Sequence, residues 1–257
     1  LFLSSIQTRH TVPSAKVMRN PALDILRAFA VLLVLGRHMP EPMITCGSRL
    51  TDLWYEAGWI GVDLFFVLSG FLVGGLLMAE VRRTGELLVG RFYVRRAFKI
   101  YPAFYVLLLV SILIGPSLGT AVKPGNIVAE AFFIQNYKGP IWQHTWSLAV
   151  EEHFYILLPL LLGLFVRRGD RENPFRKLPV LIITIGIGLL AWRIVRAYAH
   201  AQAGGPFEYA PLLYRTHIRI DSLFLGVLLA YLHHYHAAAL AAFMNTYRAA
   251  ISILATL

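Results

Sequence analysis

Apolar residues in this chain come in long runs separated by short polar segments, and those runs are its main structural signal. Crossing about 30 Å of hydrocarbon at 1.5 Å per residue takes about 20 residues of helix. Runs of that length predict spans near 22–40, 59–79, 100–118, 146–166, 178–199 and 217–235, with a seventh at 237–257. The stretch IVAEAFFIQNY, residues 127–137, is apolar but reaches across only about half the bilayer. A re-entrant or interfacial helix suits it and leaves the parity of the spans unchanged. The expected fold is therefore all-α, a polytopic transmembrane helix bundle of about seven spans. Residues 1–21 contain no apolar h-region, so no cleavable signal peptide is expected. They form an N-terminal segment before a single membrane domain, 22–257, with no internal repeat, low-complexity tract or soluble second domain.

Composition strengthens this picture. Hydrophobic residues make up 57% of the 257 and charged ones 15%, against roughly 25% charged in an average soluble domain. The 24 Lys and Arg exceed the 14 Asp and Glu by ten, which in a soluble protein would point to nucleic acid. Here the cations sit between apolar runs instead. Residues 80–99 hold six (Arg82, Arg83, Arg91, Arg95, Arg96, Lys99) and 167–177 hold five (Arg167, Arg168, Arg171, Arg176, Lys177). The alternate loops 41–58, 119–145 and 200–216 hold four together (Arg49, Lys123, Lys138, Arg215). By the positive-inside rule the N-terminus, with Arg9, Lys16 and Arg19, is cytoplasmic. No nucleic-acid partner is expected. The single cysteine, Cys46, excludes an internal disulfide and a Cys-rich metal site, and no metal is expected.

Ionisable residues inside apolar runs are functional candidates, because each costs about 2.5–3.5 kcal/mol on insertion scales. On a helical wheel Arg27 falls about 20° and Asp24 about 40° from His38, on one face, and Arg27 and His38 lie about 16 Å apart along the axis. Asp63, Glu151, Glu152, His217, Arg219 and Asp221 all begin spans entered from outside, which places them in the outer third with His38. The inner boundary carries Arg27 and the basic loop RFYVRRAFKIYP, residues 91–102. Two workplaces follow, an outer cluster of acid, base and imidazole and an inner cluster suited to phosphate. Structural alternatives stand beside each. Asp24 and Arg27 can neutralise each other at i, i+3, Arg219 and Asp221 can stitch helices, and topology alone explains much of the basic loop. Arg193 and Arg196 read best as snorkelling side chains. His233, His234 and His236 lack a matching carboxylate set for metal. Gly70, Gly74 and Gly75 suit close helix packing.

The runs LDILRAFAVLLVLGRHMP, GWIGVDLFFVLSGFLVGGLL, RFYVRRAFKIYPAFY, HTWSLAVEEHFYILLPLLL and RIDSLFLGVLLAY resemble, in order and spacing, acyltransferase family 3 of integral-membrane O-acyltransferases. The resemblance covers residues 22 to about 235. It implies transfer of an acetyl or other short acyl group from cytoplasmic acyl-coenzyme A to a hydroxyl of a carbohydrate or glycolipid. The family's Arg, ten residues, His pattern falls on Arg27 and His38, with His38 catalytic. Its VDLFFVLSG block places Asp63, Ser69 and Gly70, its basic motif Arg95 and Arg96, and its WSLAVEE block Glu151. Lys99 stands where a second Arg is expected, a point charge in place of a bidentate fork, and His153 where Gln is frequent. Family members usually have about ten spans, so the resemblance implies that C-terminal helices are missing here.

On that resemblance His38 suits the general base, since a neutral imidazole acts at physiological pH and a carboxylate behind it would set its tautomer. Glu151 is the first candidate for the carboxylate and Asp63 the second. Arg95, Arg96, Lys99 and Arg27 would bind the phosphates of acyl-coenzyme A, a donor substrate and not a bound cofactor. Arg219 and Asp221 complete the substrate-binding set, and Arg219, Trp146 and Ser147 are open choices for oxyanion donor. The expected location is the bacterial inner membrane, with the lipid bilayer as partner. Oligomeric state is not legible. The competing class is a proton-coupled transporter or channel, whose polar stripe would line a pathway.

Overall fold

The computed structural model describes residues 21–39, 49–120, 122–203 and 214–248. All regular structure among the described residues is helical. The elements are α1 (Pro21–Arg37), α2 (Arg49–Thr84), α3 (Val89–Ile114), α4 (Pro124–Ala131), α5 (Gln135–Lys138), α6 (Trp146–Arg168), α7 (Leu178–Ala203), α8 (Thr216–Tyr235) and α9 (Ala237–Thr246), with 3-10 turns at Gly115–Leu118 and Gln143–Thr145. Proline opens α1, where its missing N–H costs nothing, with Asp24 in the first turn and Arg37 in the last to match the helix dipole.

Several predicted boundaries move. Helix α2 runs 36 residues, about 54 Å, so the predicted 59–79 is only its middle. Helix α3 starts at Val89 and takes in all of residues 91–102, which are helix and not a loop. Between Arg91 and Tyr101 the chain has no glycine or proline, and its arginines and lysine are good helix formers. The predicted re-entrant stretch breaks into α4 and α5, neither of them longer than eight residues. Four helices are long and apolar enough to cross a membrane, at 49–84, 89–118, 143–168 and 178–202. A fifth is reached if α8 and α9, bent 108° apart, count as one span. With 17 residues, or about 25 Å, α1 is a turn short of that length. Of the predicted span 237–257, only its first half is seen as helix, and 249–257 lie outside the described residues.

At the centre of the bundle, α2 meets a neighbour on two glycine-lined stretches. A Cβ at Gly61 would stand 2.7 Å from that of Leu33 and 2.8 Å from the Ala30 carbonyl oxygen, so α1 lies directly on it. Further along, a Cβ at Gly70 would strike the Leu223 carbonyl, and one at Gly226 of α8 the Val67 carbonyl. The two backbones thus approach through reciprocal glycines, the close packing expected for Gly70. Gly74 faces Val227 in the same seam, whereas Gly75 faces His234. Around this pair, Phe66, Leu77 and Met78 of α2 pack with Val150, Phe154, Leu158 and Leu162 of α6 and Leu223 and Val227 of α8. By contrast, only 11% of the most apolar window of α7 and 17% of that of α3 is buried. Faces that apolar and that bare suit hydrocarbon as solvent.

Candidate functional site: an acid cleft and an imidazole pair

Glu151 sits on the inward face of α6, buried, and its Oε1 accepts a 2.6 Å hydrogen bond from Ser69 Oγ of α2. Tyr155, one turn on, also hydrogen-bonds it, and the Arg96 and Arg27 guanidiniums lie close enough to act on its charge. Arg96 in turn stacks over the Tyr155 ring at 3.6 Å, a desolvated cation–π contact. Glu152 accepts a 2.6 Å bond from Tyr101 of α3. Both carboxylates line a cavity of about 320 Å³ between α3 and α6, with Lys99 on its rim and Phe104 and Phe133 on its wall. A neighbouring cavity of about 330 Å³ holds Arg96. Arg95, one residue away and 100° round the helix, is exposed on another face. Of the expected phosphate-binding residues, Lys99 and Arg96 line these two adjoining cavities, Arg27 acts on the Glu151 charge, and Arg95 faces elsewhere.

Phe133 closes the far wall. Its φ of 56° puts a bulky residue in the left-handed region, an outlier that persists only when surroundings impose it. The ring stacks on Phe104 at 4.4 Å between centroids. Phe104 and Leu107 also line a much smaller cavity on the other side, together with Trp142 and Thr145. Beyond that lies the imidazole pair.

His38 follows the last residue of α1 and meets His144 edge-on, ring centroids 5.5 Å apart. His144 leads into α6 and stacks on Trp142 at 6.4 Å. Partial burial, then the neighbouring His144 and Arg37, hold His38 below its ordinary pKa of 6.5, although the residue as a whole stays exposed. The structure does not bring His38 and Glu151 together. His144, in the 3-10 turn before α6, precedes Glu151 by seven residues, about 10 Å of helical rise, and the charged groups acting on His38 are His144 and Arg37, not a carboxylate. Glu151 lies instead within electrostatic reach of Arg27.

The segment before α6 is tied down by Glu130, a residue the sequence reading passed over. It is buried, and its Oε1 accepts from Thr145 Oγ1 at 2.6 Å and from the Ile141 N–H at 3.0 Å. Burial pushes its carboxyl above the usual range and these donors pull it back. Gln135 donates to the Thr145 carbonyl, and Asn136 to Thr216 Oγ1, which also bonds His153 Nδ1 at 2.6 Å. Tyr137 meets His217 Nδ1 at 2.9 Å. The signal for Glu130 was present, a lone acid within AEAFFIQNY.

Asp63 and Arg219 pair at 2.8 Å, joining α2 to α8, though the contact is not angled as a hydrogen bond. Ser222 also donates to Asp63. Asp221 pairs with Arg193 of α7 at 2.8 Å, and Arg193 donates to the Ile218 carbonyl as well. Arg193 thus reaches into the bundle and does not snorkel. Arg219 and Asp221 belong to two separate helix-stitching pairs, not to one. Asp24 and Arg27 form no ion pair among the described residues. Trp146 is buried against Phe66 and Tyr214, and Ser147 donates to the His144 carbonyl.

Residues 20–257 match a family described as an acyltransferase domain. A Staphylococcus aureus (strain MSSA476) protein provisionally named an O-acetyltransferase is 31% identical over 246 residues, covering 84% of this chain and 35% of that one. The peptidoglycan O-acetyltransferase OatA of Listeria monocytogenes is 33% identical over 190 residues, covering 66% and 28%. The O-acetyltransferase OatA of Staphylococcus aureus (strain NCTC 8325) is 29% identical over 233 residues, covering 82% and 34%. The chain spans about a third of the length of these relatives. No solved structure matches.

Proposed function

The chain belongs to the acyltransferase-domain family, and from that premise we propose that it is the membrane part of an O-acyltransferase moving an acetyl or other short acyl group from cytoplasmic acyl-coenzyme A to a carbohydrate hydroxyl, of the kind found in peptidoglycan. The observation that carries the reading is the arrangement at the start of α6: a cation-rimmed acid cleft at Glu151 and, about 10 Å of helical rise before it, the His38–His144 pair. Such an arrangement suits a donor that brings phosphates to one level and a thioester to another. The Lys and Arg distribution supports a cytoplasmic N-terminus in a bacterial inner membrane, with about seven spans.

In the proposed step His38 takes the proton of the acceptor hydroxyl. The hydroxyl oxygen bonds to the thioester carbonyl carbon, the C–S bond breaks, and the imidazolium returns its proton to the departing thiolate. Arg27, Arg96 and Lys99 hold the donor's phosphates. Glu151 orients no imidazole in this scheme and serves the donor cleft, where Ser69 and Tyr155 fix it. Asp63, Arg219 and Asp221 hold α8 in place.

The test uses the complete parent protein in membranes with radiolabelled acetyl-coenzyme A and peptidoglycan. His38→Ala is expected to lower labelling by about 10²- to 10⁴-fold, the usual weight of a general base. Equal labelling would remove His38 from the reaction. Arg96→Gln with Lys99→Gln is expected to raise KM for the donor and leave that for the acceptor, and the reverse pattern would move the donor elsewhere.

A further inference from the structure

A further cavity lies away from both the acid cleft and the imidazole pair. It measures about 690 Å³ and opens where α6 ends and α7 begins. Its polar end holds Arg168, Arg176 and Lys177, with Asp170 at the rim, a net of three cations less one anion. None of the three cations forms an ion pair among the described residues, where the pairs are Arg193–Asp221 and Arg219–Asp63. Asn173 lines the same space. Its Nδ2 donates to Tyr231 Oη at 3.0 Å, while its Oδ1 is buried and has no partner. The opposite wall is hydrocarbon: Leu164 is 50% exposed and Val180 68% exposed, on helices whose bare apolar faces suit lipid.

A ligand that satisfies this cavity is anionic at one end and continues as an acyl chain. We propose that the cavity is a binding site for an anionic glycerophospholipid, the chemistry of phosphatidylglycerol. The phosphate lies on the Arg168, Arg176 and Lys177 cations, where guanidinium forks match phosphate oxygens. An acyl chain follows Leu164 and Val180 along α6 and α7. Basic pockets at the ends of membrane helices favour such headgroups on general electrostatic grounds. The site is independent of the acyl-transfer reading.

The complete parent protein, purified in neutral detergent, would be titrated with phosphatidylglycerol, phosphatidylcholine, inorganic phosphate and coenzyme A, following Tm and retained ligand by native mass spectrometry. At a hundredfold excess over Kd, phosphatidylglycerol is expected to raise Tm by about 5–10 °C, with one lipid retained and little effect from phosphatidylcholine. Arg168→Gln with Arg176→Gln, both at exposed positions, should leave the lipid-free Tm unchanged and abolish the difference between the two lipids. Equal stabilisation by both lipids would overturn the proposal, and so would a double variant that keeps the preference. A matching Tm rise from inorganic phosphate or coenzyme A that the double variant abolishes would also overturn it, by assigning the cavity to a soluble phosphate ligand.

Discussion

His38 has an imidazole and a guanidinium for neighbours where a carboxylate was expected, and that changes how its proton behaves. Burial comes first and the positive charge available on His144 and Arg37 second, and all three disfavour the imidazolium. A base works in its neutral form, so a lowered pKa keeps it competent further into acid. The acid limb of kcat/KM, measured in the complete protein from pH 5 to 8, is therefore expected to have its midpoint below 6.5. His144→Ala removes one of the two cationic neighbours and should move that midpoint upward. A limb at or above 6.5 in the unmodified protein would mean that a carboxylate reaches the ring after all. Ionisable residues in apolar runs were easy to read, because a charge in hydrocarbon stands out. Their partners were not, because Ser69 and Glu151 are 82 residues apart and Asp63 and Ser222 are 159 apart, and no periodicity within one helix links them.

Glycines decide how the helices approach one another. Between α2 and α8 the carbonyls of Leu223 and Val67 stand where the Cβ atoms of Gly70 and Gly226 would be. Neither obstacle is the end of a flexible side chain, so a methyl there must push helices apart. Gly226→Ala is expected to cost about 1–3 kcal/mol, the usual range for overpacking, seen as a lower Tm in detergent. Gly186 of α7 has nothing within 4 Å of its would-be Cβ. Gly186→Ala should be neutral or stabilise by up to about 1 kcal/mol through helix propensity. Equal losses at both positions would show that the α2–α8 seam is not the tight one. The GlyPheLeuValGlyGly run of α2 announced close packing, but not which helix would lie against it or that Gly75 would face His234 instead. Helix α3 shows the opposite failure: its charged first turns hid a helix that local propensity favours, because hydropathy alone set the predicted start.

For the molecule as a whole, the expected orientation rests on the eleven Lys and Arg of residues 80–99 and 167–177 against four in the three alternate segments between predicted spans. Cys46, the single cysteine, belongs to one of the latter and lies outside the described residues. A membrane-impermeant maleimide should therefore label it in intact cells, and protection until the membrane is opened would invert the topology. Helices, their approximate limits and the bilayer as solvent were determined by the sequence itself, because the length and polarity of a segment are properties of that segment and the cost of an unpaired backbone in hydrocarbon leaves helix as its form. The acid cleft, the imidazole pair, the exchange of partners that joins Arg219 to Asp63 and Asp221 to Arg193, and the burial of Glu130 were decided only by the tertiary structure. Each depends on which face of one helix meets which face of another, and that is settled by glycine seams and side-chain volumes far apart in the chain.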